Sequence, residues 1–363
     1  MAGFSFNAAS HFLDGAGSPS YNPEVAFNAH PRRSATRGLS RLFSLFSLFF
    51  ACFLACFLAC FLAIPGIAGG PPQQSQEQPS ATTSAAPQIN VNVNLVNVLF
   101  TVTNKKKQLV TGLKKSDFEV LEGNTPQNIR FFTHETNLPL RIGVLMDTSN
   151  SVRERLGFEK EAAIDFLDAT LRPDEDKAFV VGFDVEPQLL QDYTGDIGKL
   201  SDAIRELQAG GGTGLFDAIY YACKAKMIYI PTPKPYLRRV LIILSDGRDN
   251  ESQHSLDEAL AMAQRAEAIV FAVSTNRTGA EEHGDKVLTT LADQTGGRAY
   301  FPFEASDLAS AFQAISKELR SQYSLAYVST NTTHDGTFRH IRVKPLEKGL
   351  RVRARAGYFA PSK

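Results

Sequence analysis

The sequence has no excess of charge of either sign: lysine plus arginine number 38, and aspartate plus glutamate also number 38. No global field draws such a chain to nucleic acid or to an acidic surface, so a nucleic-acid-binding function is not expected. Cysteine is scarce. Of four, Cys52, Cys56 and Cys60 lie inside one apolar run, which leaves Cys223 alone in the remainder. No intrachain disulfide is available there, and stability has to come from core burial, which a chain of this size supplies. Cys223 sits in the helix-like segment DAIYYACKAKM and is assigned to core space, because no histidine lies close in sequence to activate it. Also missing are the strings GxSxG, HExxH, GxxxxGK followed by Ser or Thr, and a paired CxxC. No standard nucleophile or zinc site is offered.

What is present divides into segments. Residues 42–64, LFSLFSLFFACFLACFLACFLAI, form an uncharged apolar run of 23 residues preceded by Arg32, Arg33, Arg37 and Arg41. A run of this length can span a bilayer, and arginine before it with none just after it orients the following chain outward. Residues 1–68 are therefore read as an export signal or membrane anchor, and the working part as exported, either secreted or periplasmic, or anchored by a single N-terminal span. Gly66-Ile67-Ala68 offers small residues for cleavage, yet the run exceeds the usual signal-peptide core. Cleaved signal and retained anchor both stay open. Residues 69–89, rich in Pro, Gln, Ser and Ala, cannot bury a core and read as a disordered linker.

Beyond the linker, residues 90–138 alternate apolar and polar positions (NVNVNLVNVLFTVTN, QLVTGL, DFEVLEG, QNIRFFTHE), which predicts short antiparallel strands. Lys105-Lys106-Lys107 reads as a solvated hairpin tip. A similar pattern returns over residues 323–363, and the two flanks are expected to pair into one small β-rich domain, since each alone offers few strands. Between them, over residues 139–322, the apolar runs RIGVLM, KAFVVGF, RRVLIILS, AIVFAVS and RAYFPF alternate with helical patterns. That alternation predicts an α/β fold with a doubly wound, mostly parallel sheet and helices on both faces. QLLQDYT follows KAFVVGF without a helix, so one edge strand is expected to be antiparallel.

Ligands of such sheets bind beyond the carboxyl ends of the strands, where strand order reverses. Two predicted strands end in polar clusters: Asp147, Ser149 and Ser151 follow RIGVLM, and Ser245-Asp246-Gly247-Arg248-Asp249-Asn250 follows RRVLIIL. A third cluster, Gly210-Gly211-Gly212-Thr213-Gly214, opens the helix near Leu215. An Asp-x-Ser-x-Ser string alone is weak, occurring by chance in about one chain in ten of this length. Its alternative role is helix capping by the serines. The conjunction is stronger: two strand-end acids, two hydroxyls and a loop threonine supply five oxygen ligands or water anchors, a hard set suited to Mg²⁺ or Mn²⁺.

This pattern resembles the von Willebrand factor A domain, whose metal-ion-dependent adhesion site uses the DxSxS string, a distant Thr and a distant Asp in that order. Here those positions are Asp147, Ser149, Ser151, Thr213 and Asp246, and the resemblance extends over about residues 139–322. The flanks are similar to those of a bacterial group of secreted proteins related to this domain. The resemblance implies direct metal contact from the two serines and Thr213, with Asp147 and Asp246 often acting through water, and a protein partner whose Asp or Glu carboxylate completes the shell. The expected function is an exported, metal-dependent, adhesion-type module rather than an enzyme, with its oligomeric state open.

Two alternatives compete with it. A metal-dependent hydrolase of phosphate esters would need a second acid two positions after Asp147, where Ser149 stands. A scaffold with a vestigial metal site would not need all five positions. His254 and His283 read as solvated loop residues, Arg248 and Asp249 as a surface ion pair or as ligand selectors at the rim, and Asp217 as a brace for the loop carrying Thr213.

Overall fold

The inner strands of the central sheet are buried on both faces, and the parity of each residue decides which layer it joins. The structure is a computed structural model describing residues 95–135, 138–228, 237–276 and 282–362. The proposed export segment and linker, residues 1–68 and 69–89, lie outside the described residues. Among the described residues no helix is long and apolar enough to cross a membrane.

Residues 87–363 make up one unit containing three apolar cores. Its central sheet contains β5 (Leu140–Asp147), β6 (Lys177–Phe183), β7 (Pro187–Thr194), β8 (Arg238–Ser245), β9 (Ala268–Ser274) and β10 (Ala299–Tyr300), in the order β10-β9-β8-β5-β6-β7. All neighbours run parallel except β6 and β7, which form the antiparallel edge hairpin. Helices α1 (Leu156–Thr170), α2 (Ile197–Glu206) and α6 (Ala305–Leu319) cover one face, and α3 (Leu215–Tyr221), α4 (Leu256–Arg265) and α5 (His283–Thr295) cover the other. Along β8 the even residues Val240, Ile242 and Leu244 join the α1 layer, whereas Leu241 and Ile243 join the α3 layer. Period two in a strand buried on both faces produces this split.

The strands of the two chain ends build a second body. β1 (Leu95–Thr103), β4 (Ile129–Glu135), β11 (Gln322–Val328) and β13 (Arg351–Ala354) form one sheet, ordered β13-β1-β11-β4. β2 (Phe118–Glu122), β3 (Thr125–Gln127), β12 (Phe338–Pro345) and β14 (Gly357–Phe359) form another, ordered β14-β12-β2-β3. Every sheet mixes N-terminal and C-terminal strands, and Phe100, Phe118 and Tyr323 meet in the core between them. Glu122 is buried there and accepts hydrogen bonds from Tyr327 at 2.9 Å and Ser329 at 2.7 Å.

Four sequence expectations need correction. QLVTGL is no strand and makes only an isolated bridge, Thr103 to Leu109; Val110 N–H donates to Val102 and the segment folds back along β1. The helical pattern after RIGVLM becomes a helix only at Leu156, after a 3-10 turn over Asn150–Val152. The helix through Cys223 ends at Tyr221 and continues as a π-turn, Ala222–Met227. The last of the strand pattern over residues 323–363, RVRARAGYFA, breaks into β13 and β14, which lie in different sheets.

Asp176 clamps the place where the central body joins the β-sandwich. It is fully buried, and it accepts N–H bonds from Leu140 at 2.7 Å and Arg172 at 2.9 Å, with the Arg172 Nε at 3.3 Å and the Arg320 guanidinium alongside. Burial alone would raise its pKa, but the amides of Leu140 and Arg172 and the two guanidinium groups hold the carboxyl below its ordinary range. Removing one member of such a pair leaves uncompensated buried charge. Asp176→Asn is expected to lower the unfolding free energy by about 3 kcal/mol in urea titrations at neutral pH. Because the folded pKa is depressed, this stabilisation is present above the unfolded value near 3.9 and disappears as pH falls through the folded one. The gap between wild type and variant should therefore close in acid.

Candidate metal centre at the carboxyl edge

Strand order reverses at β5, which has β6 on one side and β8 on the other. This is the crevice that sequence order alone marks as a binding edge. The parallel register pairs Met146 with Leu244, so Asp147 and Ser245 end their strands side by side, both with the parity of the α3 layer. Asp147 is 1% exposed, and its Oδ2 accepts the Ser245 hydroxyl at 2.6 Å while Oδ1 accepts the Ser149 N–H at 2.9 Å. Ser149 and Ser151 hydroxyls lie 2.8 Å apart. Ser149 precedes the 3-10 turn but makes no side-chain capping bond, so the capping role is not taken up.

Thr213 and Asp246 come in on separate loops that are stitched to this one. Gly210 N–H donates to the Thr148 carbonyl at 2.7 Å, and the Asn150 side-chain amide donates to the Gly211 carbonyl at 3.1 Å. The Thr213 N–H donates to Asn250 Oδ1 at 2.8 Å, and its carbonyl accepts from the backbone of Asn250 and Glu251. The glycine loop is thus bonded to the loops after both β5 and β8. Gly211 has a φ of +68°, and a side chain there would also press on Asp184, with a contact of 2.9 Å. Gly247 has a φ of +76°, and an added Cβ would lie 2.2 Å from the Gly284 carbonyl oxygen. Close backbone passage of this kind admits only glycine.

Electrostatics at this edge favour a cation. Burial pushes the Asp147 carboxyl up to about 6, against the hydrogen bonds of Ser245 and Ser149, and the neighbouring Asp246 adds to the rise. Asp246 is also buried, and its Oδ1 accepts the Arg248 N–H at 3.0 Å. The carboxylates of Asp147 and Asp246 and the hydroxyls of Ser149, Ser151 and Thr213 are hard oxygen donors, the kind that divalent cations take. Among the described residues no group of three or more His, Cys, Asp or Glu side chains gathers as a metal cluster, this edge included.

The remaining sequence candidates fall around this set. Arg248 pairs with Glu282 at 2.6 Å and not with Asp249, which corrects the expected ion pair. Asp249 caps α3, accepting the Phe216 N–H at 2.9 Å and the Ser252 hydroxyl at 2.6 Å. Asp217 braces the loop after β8 rather than the one with Thr213: it accepts the Gln253 and His254 N–H groups and lies 2.6 Å from His254 Nδ1. The His254 ring stacks on Tyr220, while His283 is an exposed first residue of α5. Cys223 is buried, and burial pushes its thiol up.

Residues 142–248 match the family model described as the von Willebrand factor type A domain. The chain carries a von Willebrand factor A domain. No curated protein matches it. Among solved structures, a von Willebrand factor type A protein from Catenulispora acidiphila is 13% identical, covers 75% of each chain and superposes with a TM-score of 0.45. Proximal thread matrix protein 1 of the mussel byssus, with a zinc-occupied MIDAS motif, is 17% identical over 56% of this chain, with a TM-score of 0.44. The chain spans 50% of that protein's length. The hypothetical protein BatB from Bacteroides thetaiotaomicron is 18% identical over 50% of this chain and 97% of its own, with a TM-score of 0.40.

Two residues of this A domain's edge escaped the motif. Ser245 reads in sequence as part of a turn, yet its hydroxyl donates to Asp147 and accepts the Gly247 N–H at 3.0 Å. Glu159, in the first turn of α1, is 1% exposed with neither carboxyl oxygen hydrogen-bonded, and its nearest base is Arg155 Nε at 3.6 Å. Burial pushes Glu159 up to about 8; Arg155 opposes the rise, and Asp147 and Asp246 add to it.

Ser245→Ala should weaken divalent-metal affinity about 10- to 100-fold by isothermal calorimetry, as loss of a group that orients a ligand does. Glu159 supplies a pH signature. Its folded pKa is raised, so its contribution is full below the unfolded value near 4.3 and is lost as pH rises through about 8. With chelator present, Glu159→Gln should flatten the decline in melting temperature across that window.

Proposed function

We propose that the protein is a binding module that captures an Asp or Glu carboxylate of a partner protein through Mg²⁺ or Mn²⁺ held by Asp147, Ser149, Ser151, Thr213 and Asp246. The observation that carries this reading is the pair of adjacent serine hydroxyls beside a buried Asp147, itself anchored by Ser245 at the strand-order switch. When bound, the ion would supply an electrophilic centre for an outside acid. The chain's own part is to fix the donors. Ser245 orients Asp147, the glycine loop holds Thr213 against the Asn150 and Asn250 segments, and Asp246 adds the second negative charge. Three of the five donors are neutral hydroxyls, which leave the ion electrophilic, so a partner carboxylate gains a charge-assisted bond.

Hydrolysis of phosphate esters is the weaker reading. Ser149 stands where an aspartyl-nucleophile enzyme would carry a second acid, and His254 is engaged by Asp217 and Tyr220. We also read residues 42–64 as the export segment that delivers the module outside the cytoplasm. Calorimetric titration of fragment 87–363 with Mg²⁺ or Mn²⁺ is expected to show binding that falls about 100-fold or more in Asp147→Ala. Capture of an immobilised Glu-bearing peptide should be abolished by chelator, without turnover of phosphate or carboxyl esters. Metal-dependent turnover would assign the enzyme instead, and absence of metal binding would leave a scaffold.

A further inference from the structure

A cluster of positive charge outside the A-domain site lies at one pole of the β-sandwich. β1 ends at Thr103, which pairs with Arg351 at the start of β13; β12 ends at Pro345, opposite Phe118 at the start of β2. The turns at 104–108, 114–117 and 346–350 therefore meet at one end. Leu346 N–H donates to the Asp117 carbonyl at 2.9 Å, and a Cβ on Gly349 would lie 3.1 Å from the Lys105 side chain. This end gathers Lys105–Lys107, Lys114, Lys115, Lys348 and Arg351, all exposed, together with Asp117 and Glu347. Lys344 beside them is balanced by Glu119 at 3.9 Å. In sequence these charges are scattered over nearly 250 positions, and the net charge of the chain hides them.

One apolar side chain stands among them. Leu346 is 63% exposed at the tip of its turn. The exposed aromatic residues Phe131, Phe158, Phe301 and Phe303 belong to other segments, so this pole offers no stacking platform for nucleic-acid bases. Lysine predominates over arginine, which suits diffuse attraction to an array of phosphates rather than bidentate recognition of one. Flexible lysines around an exposed leucine match an anionic bilayer, where headgroups take the charges and the interface takes the apolar side chain. A soluble polyanion would leave Leu346 in water.

The geometry points to a membrane-contact surface: this lysine-rich pole seats on anionic lipid headgroups, with Leu346 entering the interfacial layer. The seating fixes the direction of the A domain. Helix α6 begins after β10, at the carboxyl edge, and spans about 22 Å for its 15 residues. At its far end Glu318 meets Thr101 at 3.1 Å and the Arg353 guanidinium, each two residues from the Thr103 and Arg351 pair. The metal site and the lysine pole thus lie at opposite ends of α6, and a seated molecule presents the metal site away from the bilayer.

Fragment 87–363, which holds all three cores, tests this by co-sedimentation in chelator with vesicles of phosphatidylcholine alone or mixed with phosphatidylglycerol. Chelator separates the result from the metal-dependent reading. Binding is expected only to the mixed vesicles and should be suppressed at about 0.5 M salt. Replacing Lys105, Lys106 and Lys107 with Gln together should weaken it about 100-fold, and Leu346→Ser about tenfold, with melting temperatures unchanged. Equal affinity for both vesicle types, or no binding, overturns the proposal. So does Leu346→Ser binding like wild type while heparin or duplex DNA competes, which would assign a soluble polyanion.

Discussion

The parallel register between β5 and β8 is the constraint on which the A-domain edge depends. It sets Asp147 beside Ser245, so that the hydroxyl of one strand end orients the carboxylate of the other. A shift of one residue would send one of the two to the opposite face of the sheet. The register is held by residues buried on both faces, Val240 to Leu244 and Ile142 to Met146, and the position of the polar edge follows from apolar packing beneath it. The glycine loop then completes the arrangement through its backbone groups, and the lack of a side chain at Gly211 lets it pass beside Asp184.

Much of this was legible in the sequence. Continuous apolar runs separated by amphipathic helices carry their own physical signature, and so does a hairpin that lacks an intervening helix. Asp147, Ser149, Ser151 and Asp246 could be placed because each directly follows a run whose end is visible. Thr213 could be placed because glycines crowd in front of a helix. The A domain and its mixed β-sandwich were therefore readable from periodicity and from the resemblance.

What escaped detection depended on contacts between distant segments. Ser245 looked like a turn residue because nothing in LSDG reveals which residue of a neighbouring strand it faces. Glu159 sits on an ordinary amphipathic helix, and only the fold shows that its carboxyl is sealed beside Arg155 without a hydrogen-bond donor. The alternation of QLVTGL is real, yet the segment packs Val110 and Leu113 against the sandwich core through Tyr323 instead of joining a sheet: Leu113 N–H donates to the Tyr323 hydroxyl, which donates to the Val110 carbonyl.

The intermixed strands of the β-sandwich have a consequence for the order of assembly. β1 pairs with β11 across more than 200 residues, Leu95 opposite Val328, so neither half of the sandwich can close while the intervening chain is loose. The A domain draws its own two ends together, because Asp176 bonds to Leu140 at its entrance and Arg320 at its exit. Once that body has condensed, the effective loop between the two halves shrinks to the short gap at its base. The A domain is thus the closing clasp of its neighbour, and a chain emerging from its N-terminus carries β1 and β4 unpaired, and β2 joined to β3 alone, until its last forty residues arrive.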